Sequence, residues 1–291
     1  MMHKELSVSD ITVVSVCYKS DAVIGQMVAS IPVETPIILV DNGKTNRFPS
    51  FAAERDIHIE TLEQNEGFGA GCNAGAAVAK TPWLLFLNPD ATIHPGSLDQ
   101  FLSAARRYKT ASAFNPRMEN GDGSAYFKRR SWLLPRNRYM PKGWPSVDCA
   151  IPVLSGAAIF ISRELFLKAK GFDPNIFLYH EDDDLSLRLA EFGPLMFVRD
   201  AVVTHANGNS TARSPAVAKF KAFHMARSRI YTGRKHKRPW PFFSTLIQAF
   251  LLLLSPQTLV SARRRGKAIG FLMGCILYKD IEEPFGQART K

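Results

Sequence analysis

The chain has 291 residues, of which 46% are hydrophobic and 22% are charged. This composition excludes a low-complexity or fibrous chain, and the length allows one large α/β domain, alone or with an appendage. The net charge of +11 is unevenly placed: residues 1–200 carry 21 Lys and Arg against 23 acids, whereas residues 201–291 carry 16 against three. A basic C-terminal third suits nucleic acid, anionic lipid or a phosphorylated substrate, or it is a solvated surface.

The cysteine pattern and the N-terminus indicate a compartment. Four cysteines lie far apart without any Cys-x-x-Cys pair: Cys17, Cys72, Cys149 and Cys275. A zinc or disulfide framework is therefore not expected, and a reducing cytoplasm is the simplest compartment. The polar N-terminus runs directly into a strand-like segment, so no signal peptide is expected.

The first third of the chain alternates strand-like and helical segments. Apolar, β-rich runs at residues 11–17, 36–40 and 82–87 predict buried strands, and residues 57–62 predict a weaker one. Small residues at 70–79 follow a glycine-rich stretch and predict a tightly packed helix. Strands that alternate with helices and are apolar throughout indicate a mostly parallel sheet flanked by helices on both faces.

The middle of the chain is less regular. Residues 115–150 contain glycines, prolines and a basic, tryptophan-containing run, and they predict loops and a hairpin beside the site. Regular structure resumes with a strand at 153–162 and helices near 164–170 and 181–192. A basic helix is predicted from residue 214 to about residue 233.

The C-terminal segment holds two apolar runs with a basic cluster between them. The runs cover residues 242–254 and 268–278, and the basic cluster covers residues 263–267. Neither run reaches the roughly 20 residues that cross a bilayer. Short apolar helices beside a basic cluster are typical of segments that lie in a membrane interface. The alternative is a helical appendage that packs on the catalytic domain or on a second subunit.

Two polar clusters follow predicted strands, where ligands bind in open α/β sheets. Asp41 ends the second strand, although a residue of this kind by itself is more often part of a turn or a helix cap. Asn88 and Asp90 follow the strand at 82–87. A carboxylate at a strand end can hold a hard cation, and diphosphate oxygens can complete the coordination shell of that cation. Asn-Pro-Asp alone, however, is a common turn.

A third cluster, His-Glu-Asp-Asp-Asp at residues 180–184, opens a predicted helix. Part of it serves to complement the helix dipole. Because Arg188 lies four residues after Asp184, those two are expected to pair on one helix face. This leaves Glu181 and Asp182 for chemistry, since a carboxylate can take a proton from an attacking hydroxyl.

His205 ends a predicted strand. A lone histidine more often packs than binds a ligand, but the polar residues 207–210 beside His205 indicate a loop at the site.

Seven sequence strings occur in order between about residues 10 and 235: VVSVCYKS, ILVDNGKT, NEGFGAGCNAG, PWLLFLNPDATI, SGAAIFISRE, GFDPNIFLYHEDDDLSLRL and THANGNST. In these strings the chain resembles the family-2 inverting glycosyltransferases, in particular the bacterial rhamnosyltransferase-like branch. The resemblance implies a GT-A fold, in which a nucleotide-binding α/β sheet is joined to an acceptor-binding half. Together with the apolar and basic pattern of the C-terminal segment, this predicts a GT-A domain at residues 1–238, followed by a helical, membrane-interfacial segment at residues 239–291.

The resemblance also implies roles for individual residues. Asp41 is expected to contact the base of the donor nucleotide. The other residues expected along the base, nucleoside and ribose are Tyr18, Asn65, Gly67, Phe68 and Asn73. Asn-Pro-Asp stands where the family often has Asp-x-Asp, so Asp90 is the expected ligand of Mg²⁺ or Mn²⁺, with Asn88 as a weaker candidate. This sequence therefore has one carboxylate fewer at this position than the family pattern Asp-x-Asp.

On the acceptor side, the resemblance makes Asp182 the general base. The resemblance also implies that Glu181 contacts the acceptor or orients the site, and that His205 completes the coordination shell of the metal.

The implied function is inverting transfer of a sugar, with rhamnose implied by the branch, from a nucleotide-diphosphate donor. The acceptor is expected to be a saccharide or lipid-linked saccharide in cell-surface polysaccharide synthesis. The tail adds an expected peripheral position on an anionic membrane at the cytoplasmic face. No nucleic-acid partner is expected, and the oligomeric state stays open.

Two other classes of protein account for part of the sequence. A dinucleotide-dependent oxidoreductase would use the glycine run at 67–71, with Asp90 beyond it, but that run follows the third predicted strand and leaves the acidic run without a role. A catalytically idle nucleotide- or nucleic-acid-binding module would use the basic run at 219–238, which holds eight Lys and Arg and no acids. Aromatic residues are not regularly interleaved there, and a binding module needs no acidic pair.

Overall fold

The computed structural model describes residues 6–205 and 214–278. In these residues ten strands form one sheet. The strands are β1 (Ile11–Cys17), β2 (Ile37–Asn42), β3 (Ile57–Leu62), β4 (Trp83–Leu87), β5 (Ala91–Ile93), β6 (Ala113–Asn120), β7 (Ala125–Tyr126), β8 (Cys149–Ile151), β9 (Ala158–Ser162) and β10 (Leu195–His205). The helices are α1 (Asp21–Ala29), α2 (Phe68–Val78), α3 (Ser97–Arg107), α4 (Arg163–Lys168), α5 (Glu181–Leu189), α6 (Pro215–Lys235), α7 (Pro241–Leu254), α8 (Pro256–Val260) and α9 (Ala262–Ile276).

The strand order is β3-β2-β1-β4-β9-β6-β10-β5, with β7 beside β6 and β8 beside β10. The first four strands are parallel neighbours, and β6 is parallel to β10, whereas β9 and β5 are antiparallel to their partners. The carboxyl ends of β1, β2 and β4 therefore open on one edge of the sheet. The strand order reverses between β1 and β4, which is where open α/β sheets bind ligands.

Apolar side chains cover both faces of the sheet. On one face α1 and α3 bury Met27 and Phe101 against the strands. On the other face α2, α4 and α5 bury Cys72, Phe166 and Leu185. The predicted mostly parallel sheet with helices on both faces is confirmed.

The glycines of α2 allow that helix to approach the sheet closely. A Cβ at Gly71 would lie 2.6 Å from the Val16 side chain, and one at Gly75 would collide with the Val14 side chain. The small residues thus serve helix–sheet packing, as the sequence indicated.

One predicted strand is shorter than expected. The apolar pattern from residue 153 predicted a strand to residue 162, but β9 begins only at Ala158. The preceding backbone N–H groups donate to side chains instead: Leu154 to Ser186, Ser155 to Asn115 and Gly156 to Asp182. Side-chain acceptors outside the sheet therefore compete with strand pairing in this segment.

The last four helices form a separate packed layer. The side chains of α6, α7 and α9 share a buried cluster made of Ala222, Ala226, Ile230, Ala249, Phe271 and Cys275. This cluster crosses the predicted boundary at residue 238, so the boundary runs through packed side chains. In the described ranges, no helix has the length and apolarity to span a membrane.

Candidate active site

A cleft of about 660 Å³ opens at the carboxyl edge of β4. One wall is the strand edge at Asn88 and the start of α2 at Phe68, and the facing wall is the acidic start of α5. The segment between β7 and β8 and one residue of α6 close the remaining sides. Those closing residues are Lys128, Arg130, Ser131, Trp132, Tyr139 and Met225.

The loop after β2 is ordered by Asp41. This carboxylate is buried, and its Oδ1 accepts hydrogen bonds from the Asn46 side chain at 2.6 Å and the Thr45 backbone at 3.0 Å. Tyr18 follows β1 beside this loop, and its N–H donates to Ser20. Asp41 and Tyr18 therefore lie at neighbouring strand ends.

The turn before α2 is built around Asn65 and Gly67. Asn65 Oδ1 accepts from the Asn42 side chain at 3.1 Å and from the Gly67 N–H at 3.0 Å. Gly67 has φ +93°, and a Cβ there would collide with the Phe177 carbonyl oxygen. This position requires glycine, and it turns the chain so that Phe68 faces the cleft.

Asn73 has a bridging role in the structure. Its Nδ2 donates to the Phe172 carbonyl and its Oδ1 accepts from the Phe172 N–H, both at 2.8 Å. These bonds tie α2 to the segment that leads to α5. The predicted nucleoside contact of Asn73 would have to share this amide.

Asn88, Asp90 and His205 converge beside the cleft. His205 Nε2 lies 3.2 Å from both Asp90 Oδ1 and Asn88 Nδ2. The Asp90 and His205 side chains are buried, and antiparallel pairing of β5 with β10 sets His205 opposite Ala91. The loop residues 207–210, predicted to lie at the site, fall outside the described residues.

The donor atoms in this group are a carboxylate, an imidazole and an amide. Within residues 6–205 and 214–278, no three His, Cys, Asp or Glu side chains are grouped to hold a metal ion. Any divalent ion here would therefore need ligands beyond Asp90 and His205.

The chain before α5 adopts an unusual backbone. Tyr179 and His180 both have left-handed φ values, near +67° and +68°, which are costly for residues with a Cβ. His180 Nδ1 hydrogen-bonds Asp183 at 2.8 Å, and the His180 ring meets the edge of Trp132. These contacts hold the turn that presents the acidic run to the cleft.

Lys128 joins two acids of that run. Its Nζ lies 2.7 Å from Asp182 Oδ2 and 2.8 Å from Asp183 Oδ1. The same Asp182 oxygen accepts the Gly156 N–H at 2.9 Å. Burial favours the neutral form of Asp183, but the Lys128 charge and the His180 bond together lower the pKa of Asp183 below its ordinary value.

Glu181 has the opposite environment. Its side chain is buried, and its Oε2 has no hydrogen-bond partner within the part of the chain that the structure describes. Burial, together with the nearby Asp182 charge, raises the pKa of Glu181 to about 8. Glu181 therefore holds its proton at neutral pH, while Asp183 beside it is ionised.

The fourth acid, Asp184, turns away from the cleft. Its fully buried carboxylate pairs with Arg188 and Lys235 and accepts a hydrogen bond from His236 at 2.8 Å. The predicted pairing of Asp184 with Arg188 is confirmed. Lys235 also pairs with Asp173, so this network ties α5 to α6.

Comparison with known proteins decides the class. The family model described as glycosyl transferase family 2 matches residues 12–168, more than half of the chain. The chain belongs to glycosyl transferase family 2. This assignment makes the protein an enzyme, and it sets aside the oxidoreductase and the idle binding module.

Two relatives of this glycosyltransferase are named as transferases of sugars. An N-acetylglucosaminyl-diphospho-decaprenol L-rhamnosyltransferase of Mycobacterium tuberculosis is 28% identical, over 78% of this chain and 85% of the relative. The low-salt glycan biosynthesis hexosyltransferase Agl10 of Haloferax volcanii is 23% identical, over 64% of this chain and 63% of the relative. The predicted resemblance to the rhamnosyltransferase branch is confirmed.

Solved structures agree on the fold. The structure of GalNAc-T7 with UDP, GalNAc and Mn²⁺ has a TM-score of 0.56 at 16% identity; the match covers 90% of this chain and 55% of that one, about half its length. The structure of S. aureus TarS 1–349 with UDP-GlcNAc has a TM-score of 0.53 at 15% identity and covers 88% and 79%. The glycosyltransferase therefore has the predicted GT-A fold.

The predicted site residues of the glycosyltransferase fall into two groups. Phe68, Asn88, Glu181 and Asp182 line the cleft. The others follow the sheet edge beside it, or in the case of Asn73 support the wall from α2. Sequence reasoning missed Lys128, whose only signal was the basic run that it begins in the predicted loop region.

Proposed function

We propose that this glycosyltransferase moves rhamnose from a nucleotide-diphosphate donor onto a lipid-linked saccharide, with inversion at the anomeric carbon. The main support for the proposal is the cleft. One of its walls is a strand edge suited to the donor diphosphate, and the facing wall carries a buried set of acids. The choice of rhamnose and of a lipid-linked acceptor rests on the mycobacterial relative.

The donor nucleotide would lie along the strand edge from β2 to β4. Asp41 and Tyr18 would contact the base, and the turn at Asn65 and Gly67 would follow the ribose. Phe68 would pack at the junction of nucleoside and sugar, since it begins α2 and lines the cleft. Asn73 would act through the wall that it bridges to Phe172.

A divalent metal, Mg²⁺ or Mn²⁺, fits the residues beside Asn88. Asp90 and His205 would hold the ion, with the Asn88 amide as a further contact and the donor diphosphate completing the shell. Once bound, the ion would stabilise negative charge on the departing diphosphate.

Asp182 would act as the general base. Lys128 and the Gly156 N–H hold its Oδ2 in place, so the carboxylate faces the cleft in a fixed position. The acceptor hydroxyl would pass its proton to Asp182 while its oxygen bonds to the anomeric carbon. The bond from that carbon to the diphosphate oxygen would break, releasing the nucleoside diphosphate. Attack on the face opposite the leaving group inverts the centre.

Glu181 would orient the acceptor in its neutral form. Its buried Oε2 lacks a partner in the structure, so an acceptor hydroxyl entering the cleft would satisfy it. This gives the two adjacent carboxyl groups different tasks, because their environments differ.

The experiment is a screen of the purified full chain against nucleotide sugars, including dTDP-rhamnose and UDP-GlcNAc. The acceptor is N-acetylglucosamine diphosphate carried on a short prenyl chain. We expect acceptor-dependent release of the nucleoside diphosphate with one donor, and an inverted anomeric centre by NMR. Product with retained configuration would contradict the role of Asp182, and transfer only to lipid-free saccharides would contradict the acceptor class.

A further inference from the structure

One side of α7 is apolar and open to solvent. Six large side chains on or just before α7 and two on α8 are between 50% and 87% exposed. They are Trp240, Phe243, Ile247, Phe250, Leu251, Leu254, Leu259 and Val260, here called the α7 face. The α7 members from residue 243 to residue 254 recur at three- and four-residue steps, so they lie on one side of the helix.

The rest of α7 fixes this orientation. Thr245 and Ala249 are fully buried, and Ala249 lies in the cluster shared with α6 and α9. Thr245 Oγ1 also donates to the Pro241 carbonyl at 2.7 Å. The helix is therefore packed on the protein along one side and apolar on the other. Contiguous exposed apolar surface of this kind marks an interaction site.

Positive charge surrounds the α7 face. Residues 214–278 contain 12 Lys and Arg and no Asp or Glu. At one end of the face, Arg265 donates to the Leu259 carbonyl at 2.8 Å, which sets this guanidinium against α8. At the other end, Lys237 and Arg238 lie three and two residues before Trp240.

Neither the rest of the chain nor a second copy suits this surface. Residues 1–5, 206–213 and 279–291 contribute only Met1, Met2, Ile281 and Phe285 as large apolar side chains, too few to cover eight. A second copy would bring the basic residues at the ends of the face, such as Lys237, Arg238 and Arg265, against their own counterparts, and residues 214–278 contain no acid to compensate them. The charge favours a partner that is apolar in its interior and anionic at its surface.

We propose that the α7 face lies in the interfacial layer of an anionic membrane, with the flanking Lys and Arg side chains on lipid phosphates. The 14 residues of α7 span about 21 Å. The hydrocarbon core of a bilayer is about 30 Å thick, so α7 lies in the plane of the interface. Trp240, at the start of α7, would sit at the headgroup level, where its indole finds both apolar and polar surroundings.

This placement connects the membrane to the cleft. Trp132, which lines the cleft, and Pro241, which begins α7, both pack against Gly233 of α6. A Cβ at Gly233 would collide with both side chains. The cleft wall at Trp132 thus adjoins the end of the α7 face. That a lipid-linked acceptor enters along this side rests on the proposed function, whereas membrane binding itself does not.

The experiment is flotation of the full chain with vesicles of mixed phosphatidylglycerol and phosphatidylcholine, and with phosphatidylcholine alone. We expect binding to the mixed vesicles that weakens with salt, since each basic residue at the surface raises partitioning about fivefold. The variant Phe250→Gln, Leu251→Gln, Leu254→Gln should lose most of this binding. The matched control Val33→Gln, Val147→Gln, Leu167→Gln removes exposed apolar side chains elsewhere and should bind like the unchanged chain.

Two further readouts make the result decisive. Brominated lipids should quench Trp240 fluorescence in the unchanged chain, and Trp240→Phe should remove that quenching. The α7 variant should retain donor binding, so a failed donor screen would leave this result intact. Equal flotation by the α7 variant and the control, or no flotation of the unchanged chain, overturns the proposal. The proposal is also overturned if the unchanged chain is a dimer and the α7 variant is a monomer, because the α7 face would then join two copies.

Discussion

Lys128 Nζ and Asp182 Oδ2 lie 2.7 Å apart on the wall of the cleft, and the same lysine reaches Asp183. One cation thus fixes two consecutive carboxylates at the start of α5. The pairing keeps their negative charge compensated in a partly enclosed site. Within the described residues Glu181 has no such ion pair, and burial raises its pKa.

Replacing Asp182 by Asn should lower turnover by about 100-fold or more, because general-base catalysis typically contributes on that order. The donor dissociation constant should stay within a factor of about two, since the proposed role of Asp182 is on the acceptor side. Steady-state kinetics and calorimetric donor titration measure the two effects. Asp99→Asn, at an exposed position on α3, is the matched control. Near-normal turnover in Asp182→Asn would move the base to Glu181 or Asp183.

Activity should fall as the pH rises through about 8, because Glu181 then loses the proton that keeps it neutral. Glu181→Gln mimics the neutral acid, so it should retain substantial activity at pH 7. Its activity should not decline as the pH rises through about 8. The pH dependence of kcat for both proteins measures this. An unchanged alkaline limb in Glu181→Gln would assign the limb to another group.

Stability gives an independent check on Glu181. Its pKa in the folded state exceeds the unfolded value, so its effect on stability is neutral at low pH and becomes unfavourable as the pH rises from about 4.5 towards 8. Glu181→Gln should therefore melt at a higher temperature than the unchanged protein at pH 9, and at a similar temperature at pH 4. A lower melting temperature at pH 9 would show that Glu181 is ionised and paired there.

Local patterns predicted most of the fold. The strands at residues 11–17 and 57–62 have the predicted bounds, because period and composition suffice where a strand pairs along its whole length. The pairing of Asp184 with Arg188 followed from helix spacing alone. Residues 153–157 broke the pattern because side chains distant in sequence take their backbone N–H groups.

Long-range contacts explain what the sequence could not predict in the site. Asn73 hydrogen-bonds Phe172, which lies 99 residues away in the sequence. Because local sequence does not reveal this contact, the Asn73 amide was predicted to contact the nucleotide. Lys128 belongs to a segment without periodicity, and nothing local relates it to Asp182. The exposed side of α7 was equally hidden, since its apolar run does not reveal which residues pack against α6 and α9.

Metal binding should depend on the nucleotide. Asp90 and His205 supply only two strong ligands, so Mn²⁺ should bind weakly alone and about tenfold or more tightly with the nucleoside diphosphate. Calorimetry or electron paramagnetic resonance measures both affinities. Asp90→Ala should abolish the difference, and EDTA should remove activity that Mg²⁺ or Mn²⁺ restores. Full activity in EDTA would contradict metal roles for both residues.

Asp184 should matter for stability more than for chemistry. Its carboxylate is fully buried and compensates Arg188 and Lys235, so Asp184→Asn removes the negative charge that Arg188 faces and one of the two that Lys235 faces. The expected loss is about 3–5 kcal/mol in the free energy of unfolding, measured in urea. Asp200→Asn, which removes an exposed acid, should change it by less than about 0.5 kcal/mol.

The pH dependence of that loss tests its electrostatic origin. Burial alone would raise the pKa of Asp184, but the His236 bond and the charges of Arg188 and Lys235 together lower it to about 2. A lowered acid pKa stabilises the fold above the unfolded value of about 4, and this stabilisation disappears as the pH falls through about 2. The difference between Asp184→Asn and the unchanged protein should therefore shrink by about 2 kcal/mol between pH 6 and the lowest pH at which both remain folded. A difference that stays constant over this range would mean that Asp184 acts through packing and not through its charge.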